Sequence, residues 1–222
     1  MARKLLVNTF VSLDGVMQAP GGPQEDPTGG FDVGGWSAPH WDEVMGSAMA
    51  EAFGRPLDLV LGRRTYEIFA AHWPFVHDET ADWLNAMTKH VASRTLSAVS
   101  WQGARLLPGD AGDAITELKR QDGPDLMVQG SADLLQTLLR RELVDELSVW
   151  TFPVLLGHGK RLFGEGTQPG ALRLLRCVPS TTGVVISTYA ADGAVRRGDF
   201  QLSQPGEAEL ARREALRAES AA

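Results

Sequence analysis

Three short segments place glycine or serine beside basic or hydroxyl residues, directly after apolar runs that predict β-strands. They are residues 62–65 (GRRT), 93–95 (SRT) and 130–132 (GSA), and the first and third also precede a helical pattern. A helix N-terminus offers unpaired backbone N–H groups and a partial positive charge, and glycine lets an anion approach the backbone. The three segments therefore predict a site for a phosphate-bearing ligand.

Each segment alone also has an ordinary structural explanation. The first is equally typical of a capped helix with solvated arginines, the second of a surface turn, and the third of a plain N-cap serine. Their joint occurrence favours the ligand, because ligands of open α/β sheets collect beyond the carboxyl ends of the strands. The sequence contains neither GxGxxG nor GxxxxGK[ST], so the dinucleotide fingerprint and the Walker loop are both absent.

Composition limits the remaining classes of function. The net charge of -7 argues against a general nucleic-acid binder, so any basic site must be local. The single cysteine, Cys177, cannot form an internal disulfide and is expected in a strand or in the core, and the histidines lack the spacing of metal ligands. We expect no metal.

The N-terminal residues do not predict a signal peptide, and no apolar run reaches the roughly 20 residues that span a bilayer. We therefore expect a soluble cytoplasmic protein that does not bind a membrane.

Hydrophobic periodicity indicates alternating strands and helices, followed by strands alone. Strands are predicted at 4–12, 57–61, 90–93 and 125–129, and helices from about Ser37 and over 63–73, 78–87, 111–120 and 131–141. After Val144, three strand-like runs follow, punctuated by glycine and proline. This order predicts an α/β domain over 1–192 with a mixed, mostly parallel sheet, antiparallel strands at its C-terminal side, and flanking helices. Residues 193–222 predict a polar tail with a weakly amphipathic helix.

The motifs SLDG, GRRTYE, VASRT, VQGSADL and VDELSVWTFPVLLGHGKRLF occur in that order along the chain. Together they resemble the dihydrofolate reductase-like family of the riboflavin-pathway reductase (RibD C-terminal) domain type, in its uncharacterised bacterial deaminase-reductase branch. The likeness runs from about residue 3 to residue 189, and no deaminase zinc motif accompanies it. It implies a three-layer dihydrofolate reductase-like fold and NADPH as cofactor.

The resemblance also implies a cofactor-binding set. The pyrophosphate and adenosine phosphates would contact the two glycine junctions, the 2′-phosphate would contact the serine–arginine turn, and the nicotinamide would rest on the end of the first strand. The implied residues are Val11, Ser12, Gly62, Arg63, Arg64, Thr65, Ser93, Arg94, Thr95, Gly130, Ser131, Ala132 and Leu134. Arg63 and Arg94 would favour NADPH over NADH, because arginine pairs with phosphate through charge-assisted hydrogen bonds.

The substrate site is predicted from fewer residues. Asp14 and Asp42 are the candidate catalytic carboxylates, although Asp14 before Gly15 is equally typical of a turn. Trp36, Asp42, Glu43 and Lys160 are the candidate substrate-binding residues. Folate-type enzymes carry an acid at the position of Trp41, so the displacement to Asp42 makes folate reduction doubtful. The tryptophans either cover a planar ring or attach the helix start to the core.

Three functions remain open. The first is an NADPH-dependent reductase of a small heterocycle, most like 5-amino-6-(5-phosphoribosylamino)uracil reductase of riboflavin biosynthesis. The others are a non-catalytic NADPH-binding protein and a pterin reductase.

A homodimer is expected, because the apolar runs that begin at Val144 and Gly183 would otherwise leave exposed sheet edges.

Overall fold

The computed structural model describes residues 2–164, 167–201 and 203–220. One sheet of eight strands carries the fold, in the order β4-β3-β2-β5-β1-β6-β8-β7. Its strands are β1 (Leu5–Ser12), β2 (Leu57–Gly62), β3 (Lys89–Ala92), β4 (Ala104–Leu106), β5 (Asp125–Gly130), β6 (Glu146–Phe152), β7 (Leu172–Pro179) and β8 (Val185–Ala191). The first six are parallel, whereas β8 runs antiparallel to β6 and β7.

Helices cover both faces of the sheet. The covering helices are α1 (Glu43–Phe53), α2 (Arg63–His72), α3 (Glu79–Ala86), α4 (Ala111–Arg120) and α5 (Ala132–Arg140), and a further helix, α6, spans Glu207–Ser220. Apolar residues of α1, α2 and α3 pack with one face, and those of α4 and α5 pack with the other. This confirms the predicted three-layer α/β fold with a mixed, mostly parallel sheet.

The central strand β1 is buried because it has neighbours on both sides and helices above and below. Seven of its eight residues are buried. Such a strand is typically a continuous apolar run, as in LLVNTFVS. Only Asn8, Thr9 and Ser12 interrupt it with polar side chains.

Several local predictions were wrong. Strand β4 was not predicted, because its three residues are too short and too exposed to show a periodic pattern. Helix α1 begins at Glu43 rather than near Ser37, since Ala38–His40 forms a separate 3-10 turn and Asp42 caps the helix. The prediction for Cys177 was correct, since this residue lies in strand β7, where its side chain is exposed.

The open edges of the sheet are also not the predicted ones. Strands β6 and β8 lie inside the sheet, and its edges are β4 and β7. All but one residue of β7 are exposed, among them Leu172, Leu174 and Leu175.

Helix α6 buries none of its residues. Among the described residues, no helix has the length and apolar character needed to cross a membrane.

Candidate phosphate-binding cleft

The carboxyl ends of the neighbouring strands β2 and β5 bring two helix starts together. Helix α2 follows β2 at Gly62, and α5 follows β5 after Gly130 and Ser131. A Cβ added at Gly62 would lie 2.2 Å from Ser131 Oγ and 2.9 Å from Ser131 N, and one added at Gly130 would lie 2.5 Å from Thr65 Oγ1. Glycine is required at both junctions because each strand end packs directly against the start of the other helix.

These two helix starts differ from those of α1, α3 and α4 in how they are capped. Helices α1, α3 and α4 each begin after an aspartate, Asp42, Asp78 or Asp110, whose carboxylate accepts backbone N–H groups of the first turn. No side chain caps α2, and Ser131 makes no capping hydrogen bond to α5. Ser131 is therefore the N-cap residue of α5 by position, but its hydroxyl does not cap the helix. Since free helix N–H groups attract anions, the two uncapped starts suit a phosphate group.

A cleft of about 680 Å³ opens at these helix starts. Of the thirteen predicted cofactor-binding residues, eight line it: Gly62, Arg63, Arg64, Ser93, Arg94, Thr95, Ser131 and Leu134. Thr65, Gly130 and Ala132 lie in the adjoining junctions. Val11 and Ser12 are buried at the end of β1 and do not line the cleft.

The charge of the cleft is locally positive although the chain is acidic. Arg63, Arg64, Arg94 and Arg140 line it, against the carboxylates of Asp110 and Asp133. Arg94 is 91% exposed, and its Nη2 lies 3.8 Å from Asp133 Oδ2, so the arginine is held only weakly. Ser93 Oγ accepts the backbone N–H groups of Thr95 and Leu96 at 3.1 and 2.9 Å, which fixes the turn that carries Arg94.

Sequence reasoning missed the contribution of α5 beyond its first turn. Gln136, Thr137 and Arg140 line the cleft together with Asp133. Their spacing of three and four residues places them on one face of the helix. That spacing is visible in the sequence and was the signal that could have identified them.

Asp14 holds two loops together. Its carboxylate accepts the Ser12 hydroxyl at 2.5 Å and the backbone N–H groups of Leu156 and Gly157 at 3.1 and 2.8 Å. These hydrogen bonds, that of Ser12 foremost, lower the pKa of Asp14 from 3.8 to about 2. The guanidinium of Arg161 also donates to the Asp14 carbonyl. Asp14 is therefore ionised and fully engaged in joining β1 to the segment after β6.

Asp42 has a similar structural engagement. Besides capping α1 through Met45 N at 2.9 Å, it accepts the Thr181 backbone N–H and hydroxyl at 2.8 and 2.6 Å. The Thr181 hydroxyl is the main cause of the lowered pKa of Asp42. The carboxylate thus ties the start of α1 to the turn between β7 and β8.

Two of the other predicted substrate residues, Trp36 and Lys160, have hydrogen-bond partners within the protein. Trp36 is 7% exposed, and its indole N–H donates to the Gln18 carbonyl at 2.8 Å. The ammonium of Lys160 pairs with Asp26 and donates to Thr28 Oγ1 at 2.9 Å. Glu43 is exposed in the first turn of α1. Neither these residues nor Asp14 and Asp42 line the cleft at the starts of α2 and α5.

The long glycine-rich segment after β1 is anchored at several points. Gln18 donates to the carbonyls of Asp26 and Thr28 and accepts the Lys160 backbone N–H, with distances of 2.9 to 3.0 Å.

Among the residues that the structure describes, no group of three or more His, Cys, Asp and Glu side chains is placed to hold a metal ion.

Comparison with known proteins agrees with this architecture. The uncharacterized protein YyaP of Bacillus subtilis (strain 168) is 26% identical over 201 residues, which span 86% of this chain and 96% of that protein. A putative riboflavin biosynthesis protein from Shewanella sp. PV-4 superimposes with a TM-score of 0.62 at 23% identity, covering 86% of this chain and 99% of the other. Dihydrofolate reductase from Enterococcus faecalis, whose structure contains NADP(H), gives a TM-score of 0.56 at 12% identity, with 86% and 99% coverage.

The family model described as the RibD C-terminal domain matches residues 3–186, which include strands β1 to β7, the start of β8, helices α1 to α5 and the cleft. On that match, the chain belongs to the RibD C-terminal domain family.

Proposed function

We propose that the protein is an NADPH-dependent reductase of a small heterocyclic substrate, most like 5-amino-6-(5-phosphoribosylamino)uracil reductase. The main observation in support of NADPH as cofactor is the pair of uncapped helix starts at the carboxyl ends of β2 and β5. They face a cleft that is lined by four arginines. Family membership and the NADP(H) held by the Enterococcus enzyme support the same cofactor.

Different residues of the cleft would bind different groups of the cofactor. Backbone N–H groups at the starts of α2 and α5, which Gly62 and Gly130 allow to lie close together, would hold the pyrophosphate. Arg94, on its fixed turn, would pair with the 2′-phosphate. The bound cofactor supplies a hydride, and the protein has only to orient it and the substrate.

The cofactor assignment is tested by titrating NADPH and NADH into the wild-type protein and into Arg94→Ala. Losing a charge-assisted pair costs about 1.5–3 kcal/mol, so NADPH affinity should fall roughly ten- to a hundredfold, with NADH affinity unchanged. Arg173→Ala is the matched control, because Arg173 lies on β7 and is not in the cleft. An unchanged ratio of NADPH to NADH affinity in Arg94→Ala would reject the assignment.

A dinucleotide-binding protein without turnover is the second candidate. It is favoured by the engagement of Asp14 and Asp42, since both carboxylates already accept several hydrogen bonds from the protein itself. The hydrogen bonds of Asp42 also argue against a pterin reductase, because such an enzyme needs a free acid to bind its substrate. NADPH oxidation with aminopyrimidine and pterin substrates separates the candidates, because only a reductase consumes NADPH.

The protein is further proposed to form a homodimer through β7. This strand has eight residues with one unpaired edge and exposes Leu172, Leu174 and Leu175, a surface that invites strand pairing with a second copy. Light scattering should give twice the chain mass of 24.0 kDa. A monomer mass at working concentration would contradict the dimer.

A further inference from the structure

A buried ionic cluster lies near the amino ends of strands β2 and β3, away from the cleft at their carboxyl ends. It joins Arg3, which precedes β1, to Asp58 of β2 and His90 of β3. These residues are 5%, 8% and 1% exposed, respectively. One carboxylate oxygen, Asp58 Oδ2, accepts Arg3 Nη2 at 2.5 Å and lies 3.1 Å from His90 Nε2. We name these three residues the Asp58 cluster, and the proposed function uses none of them.

The charges of the Asp58 cluster balance only while His90 is neutral. The carboxylate of Asp58 then offsets the guanidinium of Arg3, which also donates to the Pro124 carbonyl. A neutral imidazole with its proton on Nε2 donates to the same carboxylate. A second proton on His90 would bring another buried cation to this single carboxylate. Because a buried charge without a counter-ion of its own is strongly unfavourable, the closed structure opposes that protonation.

The surroundings of His90 act in the same direction. Strand register places the exposed Arg105 of β4 beside it. Burial lowers the pKa of His90 from 6.5, and the charges of Arg105 and Arg3 add to this effect, whereas Asp58 opposes it. In an opened structure these causes disappear, so His90 takes up a proton more readily there than in the closed one.

The other ionisable groups nearby are engaged elsewhere. Lys89, on the opposite face of β3, donates to the Asn85 and Gln102 carbonyls at 2.7 and 3.0 Å. Its pKa is about 8, so it keeps its proton over the range in which His90 titrates. Helix α4 packs on the same face of the sheet as His90, and its charged side chains form the ion pairs Arg141–Asp113, Arg120–Glu117 and Lys119–Asp145.

The strands β3 and β4 are the part of the sheet that opens most easily around the Asp58 cluster. Strand β4 has three residues and forms one edge of the sheet, and β3 beside it has four. Asp58 lies on β2, which is paired on both sides, and Arg3 leads into the central strand β1. Because native proteins open locally where few contacts hold a segment, opening of β3 and β4 lets a protonated His90 reach water without unfolding the other strands.

We infer that His90 is a proton-sensitive lock of the β3–β4 edge, which is closed while the imidazole is neutral and opens when the imidazole takes up a proton. The turn that carries Arg94 follows β3 directly, so opening of the edge also displaces this arginine from the cleft. Acidification therefore weakens binding of the 2′-phosphate. This consequence rests on the proposed function, whereas the opening of the edge does not.

Hydrogen–deuterium exchange of the full chain without ligand, measured by mass spectrometry at pH 7.5 and 5.5, tests the lock. In the opened edge His90 titrates near its ordinary pKa of 6.5, so the opening equilibrium should increase by up to about tenfold between these two pH values. After correction for the chemical exchange rate, peptides from residues 89–106 should exchange at least about threefold faster at pH 5.5. Peptides from β1 and β5 should show no such increase.

Variants assign the effect to one imidazole. His90→Gln keeps a neutral donor for Asp58 but cannot take up a proton, so the faster exchange at pH 5.5 should disappear. His77→Gln is the matched control, because His77 is exposed between α2 and α3, and this variant should keep the effect. Arg105→Gln serves if His90→Gln fails to fold. It removes a neighbouring cation and so makes protonation of the closed form easier, which should reduce the effect.

Equal exchange of residues 89–106 at the two pH values would overturn the lock. Faster exchange spread over all strands, or faster exchange that persists in His90→Gln, would overturn it as well. Titration of NADPH at pH 7.5, where His90 is neutral, reports separately on the dinucleotide site.

Discussion

Replacing Gly62 by alanine tests the close approach of the two helix starts most directly. Gly62 has φ −70° and ψ 158°, which alanine adopts without strain, so the substitution adds only a methyl group. That carbon would lie 2.2 Å from Ser131 Oγ and 2.9 Å from Ser131 N. The hydroxyl can rotate away, but the backbone nitrogen can move only if the end of β2 separates from the end of β5.

Overpacking of this kind costs about 1–3 kcal/mol. For a chain of this size, the melting temperature should fall by roughly 2–12 °C. Since the separated helix starts no longer meet at one anion, NADPH affinity should fall by about tenfold or more. Differential scanning calorimetry and a fluorescence titration of NADPH measure the two effects on one preparation.

Gly46→Ala is the matched control for Gly62→Ala. It adds the same methyl group inside α1, where a Cβ has no atom within 4 Å. Helix propensity should make this variant more stable by about 0.5–1 kcal/mol, with unchanged NADPH affinity. If Gly62→Ala equalled the wild type in both melting temperature and NADPH affinity, the geometry of the cleft would be refuted.

Two further predictions concern ionisable groups in the fold. Because the pKa of Asp14 is lowered, its ionised carboxylate stabilises the fold fully above about pH 4, and this stabilisation is lost as the pH falls towards 2. Asp14→Asn should therefore be less stable at pH 7, by on the order of 1–2 kcal/mol. Its acid unfolding curve, measured by circular dichroism, should be flatter than that of the wild type. An equally steep acid curve in the variant would contradict this. Burial lowers the pKa of Lys89 from 10.5 to about 8, so the unfolded chain holds this proton more tightly and stability should rise as the pH increases from 8 to 10.5. The free energy of unfolding of Lys89→Met, measured by urea titration, should not show this increase between pH 8 and 10.5. If that free energy depended on pH in the same way in the variant and in the wild type, the prediction would be rejected.

The sequence was informative where the signal is local. Periodicity predicted the long strands and helices because a run such as LLVNTFVS or a stripe such as Leu134, Leu135 and Leu138 carries its own pattern. Eight of the predicted cofactor-binding residues line one cleft for the same reason, since a glycine between a strand and a helix is visible in four consecutive letters.

The roles of Asp14 and Asp42 could not be predicted in this way. Their partners, Gly157 and Thr181, lie 143 and 139 positions further along the chain. The alignment of Asn8 with Ser148 and Thr188 is likewise a property of register across three strands, so Asn8 alone gives no indication of it. Burial and pairing between distant strands decide such roles, and a single sequence contains neither.

The place of β1 at the centre of the sheet also determines when the protein can fold during synthesis. Its two neighbours, β5 and β6, begin more than a hundred residues later in the chain. At a synthesis rate of about 5–20 residues per second, β1 waits on the order of ten seconds for them, with both edges unpaired. Pairing between such distant strands is slow, and an unpaired apolar strand tends to aggregate. Strand β1 is therefore exposed to aggregation until β5 and β6 have left the ribosome.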